Sequence, residues 1–126
     1  MNQEFIDQVR TIVVKNISDE NFGVSELSSL LGLSPSQTLR KIKAASGKSV
    51  NQYIREIRLE KAAKLLEETS QSIAEVSCQV GFSSASYFNK TFRKYYDVTP
   101  GEFRVSSSDL NKLKAVSYTH LTLPTN

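Results

Sequence analysis

Side chains that carry covalent or metal chemistry are scarce in this chain. It has one histidine, His120, and one cysteine, Cys78. A reactive thiolate needs a neighbouring base or cation, and none lies beside Cys78 in sequence. One cysteine also excludes an internal disulfide and a Cys-based zinc site, and no metal-ligand spacing appears. Cys78 therefore reads as a small, half-buried helix residue. Enzymatic turnover has little to rest on, and no cofactor is expected.

What remains is recognition chemistry, and it points to Ser72–Phe92, SIAEVSCQVGFSSASYFNKTF. Ile73, Val76 and Val80 repeat at helical spacing. Ser72 and Glu75 fit a capping box that starts the helix. Gly81 suits the position just past its end, where φ turns positive. A second helix follows, rich in small polar residues and carrying one base, Lys90. A helix, a tight turn and a second helix form a unit that places its second helix in the major groove of DNA. Sixteen Lys and Arg against 13 Asp and Glu give a formal charge of +3, which permits a polyanionic partner without demanding one.

The elements that must hold this unit can be read in order. Phe5 to Ile17 carries Phe5, Ile6, Val9, Ile12 and Val13 on one stripe, closed by Ile17, and predicts an amphipathic helix. Val24 to Leu31 is a short helix ended by Gly32. Ser34-Pro35-Ser36-Gln37 opens another through a capping box with proline at its first position; it runs to about Ala45 and stops at Gly47. Ser49 and Gln52 open the longest helix, Val50 to Glu68, with Val50, Tyr53, Ile54, Ile57, Ala62, Leu65 and Leu66 facing inward. Glu60 and Lys64 can pair along it. After the opening unit the last long helix ends at Asp97, and Thr99 to Glu102 caps one more turn through Arg104. No stretch alternates as a strand does, so the fold is expected to be all-α. No apolar run spans a membrane, and MNQEFIDQVR carries no export signal, so a cytoplasmic setting is expected. From Ser106 the pattern fades into an expected disordered tail. Val116 to Asn126 of that tail resembles translated cloning-adapter sequence.

The chain also repeats itself. VSELSSLLGLS, Val24 to Ser34, aligns without a gap on IAEVSCQVGFS, Ile73 to Ser83. Glu26, Ser28, Gly32 and Ser34 match Glu75, Ser77, Gly81 and Ser83. A second turn one residue longer sets Thr38 and Ile42 opposite Phe88 and Phe92. The repeat predicts two helix-turn-helix units, 24–46 and 72–96, within a domain of residues 1–105. The helix over 50–68 joins them and spans roughly 27 Å at 1.5 Å per residue. Successive major-groove segments on one face of DNA lie about 34 Å apart. A rigid linker of that length can hold two reading helices near this separation.

LGLSPSQTLRKIK, IREIRLEKAAKLL, VGFSSASYFNKTFRKYY and VTPGEFR together resemble the DNA-binding domain of AraC-family bacterial transcription regulators. The resemblance covers Phe5 to Arg104. Within the family, SPSQTLRKIKAASGKSVNQYIREIRLEKAAKLL looks closest to output domains of Bacteroides-type hybrid two-component sensors. This implies about seven helices in two subdomains, and double-stranded DNA as the partner. It also implies a transcription activator that works with RNA polymerase and with a sensor or dimerisation part outside this chain. Carried over by residue, the base-reading set is Ser36, Gln37, Leu39 and Arg40 in the first unit and Ala85, Ser86, Asn89 and Lys90 in the second. Arg40 can hold guanine, or instead a phosphate or a carboxylate, and Gln37 can hold adenine, although it also fits its capping role. Asn89 suits adenine, Lys90 guanine or phosphate, and Ala85 a thymine methyl. Phosphate contacts fall to Lys41, Lys43, Lys48, Arg93 and Lys94, and to the helix starts at Ser49 and Ser84. Arg58 matches a structural arginine. Thr38 stands where the family usually has Leu, Ile42 where it often has an aromatic, and Leu39 at an outward position usually polar or aromatic. The first core is therefore expected to be the looser one, settling only with DNA or a neighbour. The competing class is a helical protein-interaction module without DNA binding.

Overall fold

The computed structural model describes residues 2–106. Seven helices and no strand occur among them: α1 (Asn2–Lys15), α2 (Val24–Leu31), α3 (Pro35–Ser46), α4 (Val50–Glu68), α5 (Ile73–Gln79), α6 (Ala85–Tyr96) and α7 (residues 100–106). The tail beyond 106, with His120 and the adapter-like segment, lies outside the described residues. α7 forms about two turns rather than one.

Helix ends follow the local chemistry. Ser34 and Gln37, Ser72 and Glu75, and Thr99 and Glu102 close their capping boxes in both directions. Ser49 closes only half of one. It accepts from the Gln52 amide N–H, but the Gln52 side chain donates to Glu56 instead of turning back. Gly23 precedes α2 as its cap, and its N–H is taken by Glu26 Oε1 at 3.0 Å, a cap without a hydroxyl partner.

Two cores form. Val9, Val13, Phe22, Leu27 and Ile42 build the first with Val50, Tyr53, Ile54 and Ile57 of α4. Val76, Val80, Phe82, Phe88 and Phe92 build the second with Leu59, Ala62, Ala63 and Leu66 of α4. At 3.6 residues per turn the two α4 sets lie on faces roughly 180° apart. The single inward face expected for α4 is thus replaced by two faces that exchange at its midpoint. Leu65 is only partly buried, whereas Arg58, Leu59 and Ala63 join the buried set. Glu60 meets Arg10 of α1 at 2.7 Å rather than Lys64, because α1 lies against α4.

The repeat explains this exchange. Gly47, Ser49, Val50 and Tyr53 correspond to Asp97, Thr99, Pro100 and Phe103. The start of α4 closes the first unit as α7 closes the second. The end of α4 covers the second unit as α1 covers the first. α4 is the closing helix of one copy and the covering helix of the next.

The inward positions of α3 are closed to solvent in the first core as those of α6 are in the second. Thr38 and Ile42 are fully buried. Ser28 Oγ donates to Thr38 Oγ1 at 2.7 Å, and Thr38 donates to the Ser34 carbonyl at 3.0 Å, so the buried hydroxyl is satisfied. Ile17 lies past the end of α1 and packs against both cores. Cys78 is exposed rather than half-buried, since the inward positions of α5 go to Val76 and Ser77.

Candidate nucleic-acid interface

The two turns are built alike. The Leu33 N–H donates to the Ser28 carbonyl and the Phe82 N–H to the Ser77 carbonyl, each at 3.0 Å. Gly32 and Gly81 both take positive φ, 71° and 85°. Ser28 and Ser77 are both buried and tie the first helix to the second. Ser77 does so through the Ser84 carbonyl at 3.4 Å. The second turn is one residue longer, yet α3 and α6 turn equivalent positions outward.

Thr38 and Ile42 hold α3 to its core as Phe88 and Phe92 hold α6. Ser36, Arg40 and Lys43 follow at helical spacing on the opposite, exposed face of α3, with Leu39 at its edge. Ser86, Lys90 and Arg93 do the same on α6, with Asn89 at its edge. Leu39 is 47% exposed, a large apolar side chain presented to the outside. Ser86, Asn89, Lys90, Arg93, Lys94 and Thr99 line one open groove. Ala85 is exposed at the start of α6.

Several residues of the expected set have partners within the chain. Gln37 Oε1 accepts from the Ser34 N–H at 3.0 Å, the bond that caps α3. A bidentate contact with adenine would need that oxygen released. The Lys41 ammonium sits 5.3 Å from the centre of the Phe5 ring, turned toward α1. Lys43 reaches the Gly47 carbonyl at 3.2 Å and caps the end of its own helix. Lys48 pairs with Glu56. Burial alone would raise the Glu56 carboxyl, but hydrogen bonds from Lys48 and Gln52 outweigh it and hold it below the usual range. Ser49 and Ser84 each accept from an N–H of the helix they open, at 3.1 Å. Arg93 and Lys94 are exposed in the last turn of α6, where cations also oppose the helix dipole.

Arg58 is buried at the midpoint of α4, 7% exposed. It donates to the carbonyls of Ile17, Asp19 and Phe22 before α2, and to that of Val80 at the end of α5, at 2.7 Å. Burial pushes its guanidinium below the ordinary value, and Asp19 opposes that shift. The family resemblance marks the arginine but not its acceptors, which are all backbone oxygens.

Among the described residues no group of three or more His, Cys, Asp and Glu could hold a metal. No helix among them is long and apolar enough to cross a membrane. Two helix-turn-helix units with matching outward faces, mounted on one shared helix, define a double helix-turn-helix domain. A helix-turn-helix domain family matches residues 27–106. The chain is 38% identical over 104 residues to histidine kinase P4 of Formosa agariphila, covering 82% of this chain and 8% of that protein. It is 36% identical over 107 residues to the transcriptional activator CfaD of Escherichia coli, covering 79% of this chain and 37% of the relative. It thus spans well under half of either. The C-terminal domain of the two-component response regulator yesN from Fusobacterium nucleatum superposes with a TM-score of 0.72 at 33% identity. That match covers 80% of this chain and 98% of the other. The chain belongs to the AraC-type helix-turn-helix family.

Proposed function

We propose that this domain binds double-stranded DNA sequence-specifically, with α3 and α6 in adjacent major-groove segments. The observation that carries this reading is the pair of matching outward faces, Ser36–Leu39–Arg40–Lys43 and Ser86–Asn89–Lys90–Arg93. Arg40 and Lys90 occupy equivalent positions and read guanine, and Asn89 reads adenine. Leu39, in the place of Asn89, offers only apolar contact, which suits a thymine methyl. Ser36, Ala85 and Ser86 let the helices approach closely. Lys43, Arg93, Lys94 and the helix starts at Ser49 and Ser84 supply phosphate contacts. Gln37, Lys41 and Lys48 serve first as structural groups and reach DNA only by leaving their present partners.

The domain is the output part of a bacterial transcription activator in the cytoplasm. A sensor or dimerisation part elsewhere in the full-length protein drives it, and RNA polymerase is its partner at the promoter. Likeness to part of a histidine kinase and to a response-regulator domain supports control by phosphorelay.

Selection of genomic fragments by the purified domain tests the reading. Affinity should fall steeply with salt and leave a specific component on the selected site. Lys90→Ala and Arg40→Ala should each lose about 1–3 kcal/mol of discrimination at their own base positions. A protein with no salt-dependent affinity for any fragment, but with a protein partner on the α3 and α6 faces, would favour an interaction module instead.

A further inference from the structure

Besides Ile17, which packs against both cores, one buried polar side chain lies where the two units meet. Arg58 sits where α4 changes from the first core to the second: Ile57 belongs to one and Leu59 to the other. On one side its guanidinium holds three carbonyls of the segment between α1 and α2. On the other it holds the carbonyl of Val80, the residue just past the end of α5. The turn of the second unit is shaped around it. A Cβ on Gly81 would lie 1.6 Å from Arg58 Nη1 and 2.3 Å from the Ile17 carbonyl oxygen. A Cβ on Gly32, the same position in the first unit, would meet nothing within 4 Å. The second turn thus lies against Arg58 and the chain leaving α1, while its counterpart makes no such approach.

We infer that Arg58 is a positioning residue that sets the distance and angle between the two reading helices, and so the half-site spacing the domain accepts. Both cores are built from apolar side chains, and Arg58 is buried where α4 passes from one to the other. What it supplies is a planar, multi-donor bridge between backbone segments of the two units. A lysine keeps the charge and most of the stem, but its single ammonium cannot hold both sides in one geometry. The consequence for DNA rests on the reading proposed above; the rigidity of the pair does not.

The test uses Arg58→Lys in the full 126-residue chain. Spin labels at Ser36→Cys and Ser86→Cys, with Cys78→Ser, report the distance between α3 and α6 without DNA. One narrow distance distribution is expected with Arg58, and a broadened or displaced one with lysine, at unchanged helical circular dichroism. An unchanged distribution would overturn the inference. So would loss of the helical signal, because two separate cores should survive the loss of one bridge. On the selected DNA site, unlabelled protein with Arg58 should lose about tenfold or more in affinity when one base pair is inserted between the half-sites, the cost of one displaced base contact. Arg58→Lys should flatten that penalty while keeping its affinity for a single half-site. Equal loss on every site would contradict a positioning role. If the parent chain binds no DNA, the functional reading fails while the distance measurement still decides the role of Arg58.

Discussion

The two helix-turn-helix units share a backbone plan but are stabilised differently. The second is aromatic: Phe82, Phe88, Phe92, Tyr96 and Phe103 stack in series with ring centres 4.6–5.6 Å apart. Such pairs prefer these tilted and edge-on contacts. The first replaces that stack with a buried hydroxyl pair, Ser28 and Thr38, beneath aliphatic cover from α1. A buried hydroxyl pair adds a penalty that an apolar core lacks, because losing one partner leaves the other unsatisfied. The same turn glycine is crowded in one unit and open in the other. One scaffold can therefore keep its reading helices equivalent while the supports beneath them diverge.

The largest test of this contrast is at the glycines. Gly81→Ala meets positive φ and a collision with Arg58 and the Ile17 carbonyl. It should cost more than about 3 kcal/mol, enough to unfold a small domain in large part. Gly32→Ala meets only the backbone strain and should cost about 1–2 kcal/mol by urea titration. Equal losses would mean that Arg58 moves aside freely.

Core substitutions come next. Phe88→Ala should cost about 3–5 kcal/mol through lost burial and a cavity. Thr38→Val strands the Ser28 hydroxyl and should cost about 1–3 kcal/mol, and adding Ser28→Ala should recover much of it. A double variant no better than the single one would show that the hydroxyl pair is not the support assigned to it.

The C-caps give a smaller, opposite pair. Gly47 and Asp97 occupy equivalent left-handed positions, with φ of 77° and 68°. Asp97→Gly should stabilise by about 0.5–1 kcal/mol in thermal unfolding, and Gly47→Asp should destabilise by a like amount. The smallest effect is titration of Glu56. Its carboxyl is lowered in the folded chain, so its contribution is present above its unfolded pKa and is lost as pH falls through the folded one. Glu56→Gln should remove that part of the acid dependence of stability, and an unchanged pH profile would count against the Lys48 pairing.

Much of this was legible in the sequence because caps and turns are local. α2 and α4 have the expected bounds, and the boxes at Ser34, Ser72 and Thr99 form as read. What was not legible depends on contacts between distant segments. α4 has no single apolar stripe because it serves two cores, although its apolar spacing predicts one inward face. Arg58 finds only backbone carbonyls, which leave no mark in side-chain spacing. Asp97 ends α6 where glycine is usual, and nothing nearby announces its left-handed backbone. In the expected site, spacing identified the outward positions of α3 and α6. The Ser34 box already marked Gln37 as a capping residue, but spacing did not show that Lys41 and Lys48 are held by Phe5 of α1 and Glu56 of α4, which are distant in sequence or on another element.

The most direct test of the double-headed account is a base-resolution footprint of the purified domain on its selected DNA site. Two protected major-groove segments about one helical turn, roughly 34 Å, apart are expected. Lys90→Ala should weaken only one of them and Arg40→Ala only the other. A single protected segment, unmoved by either substitution, would contradict it.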